Sequence, residues 1–161
     1  MRRLLTAAFV VLAAGGAAAQ TADDPVHDIG ELLDAWHHAA ATADEDVFFG
    51  SMADDAIYLG TDATERWTRA EFMAWGKKHF ERESAWSFEP YNRTIYVSSD
   101  GNFAWFEELL KTWMGVCRGS GVLTRDTAGK WKIQHYNLAV TVPNDLMQDF
   151  IAIFDKTPAK P

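Results

Sequence analysis

Apolar and polar positions alternate most regularly between residues 118 and 142, where two period-two runs flank a short polar stretch. The pattern predicts two antiparallel strands, over 118–125 and 130–142. Asp126, Thr127, Ala128 and Gly129 supply the turn, with Gly129 suited to a positive φ. Along the second strand Trp131, Ile133, His135 and Asn137 point one way. Lys132, Gln134, Tyr136 and Leu138 point the other. Lys132 and Gln134 mark the solvent side, so the first set is expected to face the core. A row that begins with Trp and Ile and ends in imidazole and amide suggests a cavity, apolar at one end and polar at the other.

Helical periodicity dominates the N-terminal half. Asp24 caps a helix opening at Pro25, and Ile29, Leu32, Leu33, Trp36, Ala40 and Ala43 form its apolar stripe. His37 lies beside that stripe and His38 opposite it, so His38 is solvated while His37 can look into a cavity or sit at the boundary. A second short helix starts at Asp44 or Asp46 and carries Val47, Phe48, Phe49 and Met52. A strand over 56–59 follows and is broken at 60–63. Thr68 and Glu71 form a capping box for a third helix to about Phe80, with Phe72, Trp75, His79 and Phe80 on its stripe. Its charged face, with Lys77, Lys78, Glu81, Arg82 and Glu83, is solvated.

The rest of the chain reads as strands. One is expected over 86–97, where Pro90 demands a bulge or an edge position. A turn at 98–102 leads into a long strand over 103–117, then the hairpin. Asn144 caps a last helix with Leu146, Met147, Phe150, Ile151 and Phe154 on one side. Helices followed by antiparallel strands give an α+β class. A long curved sheet cannot bury its concave face alone, so the helices close it and leave a hollow. There are no repeats and no dividing linker: residues 20–28 are a lead-in, 29–156 one domain and 157–161 a disordered tail.

Several of these stretches carry a family resemblance. RGSGVL, a turn, GKWKIQHYNL and a following PN look like the last hairpin of SnoaL-like domains, within the nuclear transport factor 2-like superfamily. LDAWHHAAATAD and FFGSMADDAIYLGTDATERW resemble the helical start and first strand of the same family. The resemblance covers roughly residues 29–146. It implies a curved antiparallel sheet closed by N-terminal helices into a cone with an internal pocket. Tyr136, Leu138 and Val140, on the expected outer face, need a cover, either a second subunit or the C-terminal helix, and the resemblance favours a homodimer joined sheet to sheet. Alternation leaves open which face of the 103–117 strand is inside, the one with Trp105 and Glu107 or the one with Phe106 and Glu108, and the resemblance favours Trp105 and Glu107 as pocket residues. The superfamily hosts isomerases, cyclases, dehydratases, hydrolases and non-catalytic binders, so the fold does not decide activity. Its known enzymes place an Asp or a Tyr–Asp set in the pocket, and this sequence matches the fold motifs without a complete set of that kind.

Composition adds export. Arg2 and Arg3, an apolar run over 4–14 and Ala17-Ala18-Ala19 form a secretory signal peptide over residues 1–19, cleaved after Ala19. The apolar run is shorter than the ~20 residues of a membrane span. Periplasmic or secreted localisation is therefore expected, with no membrane association after cleavage. The formal charge of −8 becomes −10 once the two leader arginines are gone, which excludes nucleic acid and anionic membrane surfaces as partners. Cys117 is the one cysteine, so no internal disulfide forms, and it reads as a small core residue.

No nucleophile elbow, phosphate loop, zinc spacing or dinucleotide fingerprint is present, and no cofactor or metal is expected. Ser120 lies in Arg118-Gly119-Ser120-Gly121, which lacks the first glycine of a hydrolase elbow. Adjacent His37 and His38 cannot turn both rings to one side of a helix. What remains are polar residues on strands. Glu107 and His135 are the candidate acid/base pair, since an imidazole beside a carboxylate in a partly dry pocket can move protons near neutral pH. Arg118 can instead fix a carboxylate by a two-pronged hydrogen bond. The competing reading is a satisfied polar network that only orders the hairpin. Arg118 and Asn137 are expected to line the pocket with Trp36, His37, Tyr58, Trp67, Trp75 and Trp105, Trp67 at the rim. Asp62 is expected to serve the turn. Two functions follow: an exported domain binding a small, partly apolar molecule, or a cofactor-independent acid/base enzyme of isomerase, dehydratase or cyclase type.

Overall fold

A computed structural model describes residues 24–156. The expected leader, residues 20–23 of the lead-in, the tail and the side chain of Phe154 lie outside the described residues. Helix α1 (Pro25–Ala41) opens with Asp24, whose Oδ1 accepts the N–H groups of Val26 and His27 at 3.2 Å. Helix α2 (Glu45–Gly50) is capped by Asp44 and ends before Met52, which instead begins strand β1 (Met52–Leu59). The expected strand at 56–59 was therefore too short. Strand β2 (Arg66–Thr68), absent from the sequence reading, pairs back on β1 and feeds α3 (Arg69–Phe80) through the expected Thr68–Glu71 capping box.

Strands β3 (Glu89–Val97), β4 (Phe103–Thr112), β5 (Gly115–Arg125) and β6 (Trp131–Val140) follow. The boundary expected near 117 lies earlier, because the chain reverses at Trp113–Met114. The Thr112 hydroxyl holds that turn, accepting the Met114 N–H and donating to the Gly115 carbonyl, both at 2.9 Å. Asn144–Leu146 form a 3-10 turn ahead of helix α4 (Met147–Lys156).

The six strands make one unclosed sheet in the order β2-β1-β6-β5-β4-β3. Every pairing is antiparallel except β1 with β6, which is parallel. β1 and β6 are joined through all the intervening elements, a connection long enough for a parallel pair. Pro90 sits in β3, an edge strand, paired with Leu110, and the register shift of that strand lies beyond it between Tyr91 and Thr94, so the edge position is the one realised.

One face of the sheet is covered by helices α1, α2 and α3. Ala104, Phe106, Glu108 and Leu110 from β4, Cys117 and Leu123 from β5, and Ile133, Tyr136 and Leu138 from β6 are buried on it. Gly119 and Gly121 make room for large rings there. A Cβ at Gly119 would collide with the Tyr136 hydroxyl, and one at Gly121 with the His135 carbonyl and the Phe106 ring. No described helix is long and apolar enough to cross a membrane.

Candidate functional site

The register of β6 decides which side chains can meet. Val122 pairs with His135 and Leu123 with Ile133, so Gln134 is an extra residue. This bulge resets the alternation. Trp131 and Ile133 face the helices, and so do Tyr136 and Leu138 beyond the bulge. The parity expectation is thereby corrected: His135 and Asn137 lie on the opposite, outer face, half-buried. Cross-strand rows place Trp105 with Val122 and His135, Glu107 with Ser120 and Asn137, and Leu109 with Arg118 and Ala139. Glu107, Arg118, His135, Asn137 and Trp105 thus share the outer face, away from the hollow. Among the described residues no hydrogen bond or ion pair joins Glu107, Arg118 and His135. The Glu107 Oε1 contact is instead with the Tyr96 hydroxyl, at 3.4 Å.

A different polar cluster is buried under α1. His37 Nε2 lies 2.7 Å from Glu108 Oε1, and Arg93 Nε donates to Glu108 Oε2 at 2.8 Å. Arg93 Nη1 donates to Asp34 Oδ1 at 2.7 Å and to the Gly30 carbonyl at 3.1 Å. Burial lowers the Arg93 pKa, but Glu108 and Asp34 outweigh it and raise the guanidinium further above its ordinary value. The Tyr136 hydroxyl and Arg93 Nη2 are buried without a hydrogen-bond partner among the described residues. Burial pushes the Tyr136 phenol well up, with Tyr58, Glu108 and Cys117 adding to it and Arg93 opposing. The sequence reading missed Arg93 and Glu108. An acid inside the apolar row Ala104, Phe106, Glu108, Leu110 was the available signal.

The cavity lies elsewhere, between β1–β2, α3, the 85–88 segment and the β4–β5 turn. It measures about 410 Å³. Its wall is a run of near-parallel rings. Trp67 and Phe72 lie 3° apart in orientation at 5.3 Å, and Tyr58 and Phe72 26° apart at 4.1 Å. Trp75 stands against Trp67 at 4.9 Å, and Trp86, Phe88, Met114 and Leu138 continue the lining. Trp113, largely exposed, stands at the β4–β5 turn. The polar members are Thr61, Glu65, His79 and Arg82. Burial, then Glu65 and Cys117, push the Tyr58 phenol up. The His79 imidazole is held below its ordinary value, first by burial, then by Arg82 and Lys78.

Of the expected site residues, Tyr58, Trp67 and Trp75 line this cavity. Trp36 and His37 do not. Trp36 is core, stacked on Phe48 at 4.9 Å and edge-on to Tyr136 at 4.7 Å. Asp62 serves its turn, accepting from Thr64 N–H and hydroxyl at 2.9 and 2.6 Å. No described cluster of three or more His, Cys, Asp or Glu residues is arranged to hold a metal.

The family model for the SnoaL-like domain matches residues 29–143. The chain belongs to the SnoaL-like domain family. Solved structures agree on the fold. An NTF2-like protein of unknown function from Pseudomonas putida is 15% identical, with a TM-score of 0.62 over 75% of this chain and 89% of that one. A ketosteroid isomerase-like protein from Erwinia carotovora is 16% identical, with a TM-score of 0.56 over 75% and 99%. An NTF2-like protein from Shewanella oneidensis is 14% identical, with a TM-score of 0.61 over 72% and 99%. The comparison with curated proteins gives no match. At these identities the structural likeness of the SnoaL-like domain is one of fold.

Proposed function

We propose that this SnoaL-like domain is an exported binding domain for a small, partly apolar molecule, seated against the aromatic wall of α3 and β1–β2. One observation carries the reading. A cavity of about 410 Å³ is walled by stacked rings and holds few polar groups, a composition suited to a small ligand. Among the described residues its polar groups include no hydrogen-bonded histidine–carboxylate pair. The buried pair of that kind, His37 with Glu108, does not line it, which favours binding over acid/base turnover. The leader-like order of basic, apolar and small residues supports export, and the apolar outer face of the sheet supports a homodimer.

Calorimetric titration with small aromatic compounds tests the binding. Saturable binding is expected, weakened at least severalfold by Trp67→Ala or Trp75→Ala. Binding that ignores both substitutions, or none across the panel, refutes the reading. The mass of the secreted or periplasmic chain tests export, since a mature form that begins at Gln20 is expected and an intact Met1 terminus contradicts it.

A further inference from the structure

We infer that the cavity selects an aromatic carboxylate, its ring added to the aromatic stack and its carboxylate held at the α3 end by Arg82 and His79. This rests on the binding reading above and deepens it. Among the described residues the lining contains one guanidinium, that of Arg82, and it has neither ion pair nor hydrogen bond there. Every other arginine that borders a described cavity or packs against the sheet interior is engaged: Arg93 by Glu108 and Asp34, Arg125 by the Gly101 and Gly129 carbonyls. Beside Arg82, His79 Nε2 is buried and lacks a partner, while its ring stacks on Trp75 at 4.7 Å. A buried ring nitrogen left unpaired is costly, and a ligand oxygen would satisfy it. Lys78 stands 5.9 Å from the Trp75 ring and adds positive charge on the same helix turn. Glu81 and Glu83 flank Arg82 in sequence but do not line the cavity.

The opposite choice, an ammonium ligand in an aromatic cage, needs a free carboxylate and open ring faces. Glu65 is the lining carboxylate, and its Oε2 already accepts the Asp62 N–H at 3.2 Å. The rings are stacked on one another: Tyr58, Phe72, Trp67 and Trp75 form a continuous near-parallel series rather than a box. Such a series can be extended by one more flat ring. An arginine at its end then meets a carboxylate with two parallel N–H donors, geometry that lysine cannot copy.

Three probes with one ring body separate the possibilities: 2-naphthoate, 2-naphthylmethanol and (2-naphthylmethyl)trimethylammonium, each titrated calorimetrically into the mature protein. The carboxylate is expected to bind about tenfold or more tightly than the alcohol. Arg82→Ala should remove that advantage, lowering carboxylate affinity far more than alcohol affinity, and His79→Phe should reduce it while keeping the stack. Equal affinity for carboxylate and alcohol, or an advantage that survives Arg82→Ala, overturns the inference while the binding reading stands. Preference for the ammonium overturns it in favour of a cation cage. No binding of any probe, with Trp75→Ala equally silent, removes the binding reading itself.

Discussion

Glu108 Oε1 lies 2.7 Å from His37 Nε2, joining β4 to the middle of α1 across 71 residues of chain. Both groups are buried, and Arg93 completes the pair from the edge strand at 2.8 Å. Removing the shared carboxylate leaves a guanidinium with only Asp34 and a backbone carbonyl. Glu108→Ala should therefore destabilise the fold by about 3–5 kcal/mol, the range for breaking a buried ion pair. Glu108→Gln, which keeps the shape and one acceptor, should cost less. Urea unfolding of the two variants checks the order. Near-neutral Glu108→Ala would show that the cluster does not fasten α1 to the sheet.

Gly119 lies under the Tyr136 hydroxyl and within 3.2 Å of Glu108 Oε1 when a Cβ is built on it. The Tyr136 ring cannot swing away, because Trp36 and Tyr58 hold it at 4.7 and 5.4 Å. Gly119→Ala should cost about 1–3 kcal/mol by overpacking. Tyr136→Phe alone should be neutral or slightly stabilising, since it deletes a buried hydroxyl with no partner. The double variant should recover part of the loss. Additive losses in a denaturation cycle would contradict the contact.

His79 gives a pH dependence whose sign follows from its displaced titration. Burial, Arg82 and Lys78 hold the folded-state value below the ordinary 6.5, so the unfolded chain binds the proton more readily. The contribution of His79 to stability is full above about pH 6.5 and is lost as the pH falls from there through the lower folded value. The melting temperature should fall on acidification from pH 7.5 toward 5.5, and His79→Phe should flatten that part of the profile. An unchanged slope in the variant would assign the dependence to other groups.

Much of the fold was legible because its signals are local. The Thr68–Glu71 capping box, the Asp24 cap and the Asp126–Gly129 turn each lie within a few residues and appear where expected, and of the two caps expected for α2, Asp44 or Asp46, Asp44 is the one used. The site was less legible because it depends on register. Strict alternation carried His135 and Asn137 inward, but one extra residue at Gln134 turned them out and brought Tyr136 and Leu138 in. The apolar spacing 131, 133, 136, 138 is the trace of that bulge. The Arg93–Glu108–His37 cluster unites three elements far apart in sequence, and no window of neighbouring residues contains it.

The corrected faces also change the reason for expecting a homodimer. Tyr136 and Leu138 are interior, so they cannot supply the apolar outer surface first assigned to them. Tyr96, Phe103 and Trp105 supply it instead, each more than two-fifths exposed, with Tyr96 and Trp105 stacked at 5.4 Å. Val122 lies beside Trp105 in the same row. A contiguous aromatic patch on an uncovered sheet face is expensive in water, and a second copy of the same face is self-complementary. The proposed homodimer should therefore appear by light scattering at micromolar concentration, and Trp105→Glu should convert it to a folded monomer. The exposed Ile153 of α4 serves as a control: Ile153→Glu should leave a sheet-to-sheet dimer intact. A wild-type monomer, or a dimer lost through Ile153→Glu and kept by Trp105→Glu, would move the interface away from the sheet.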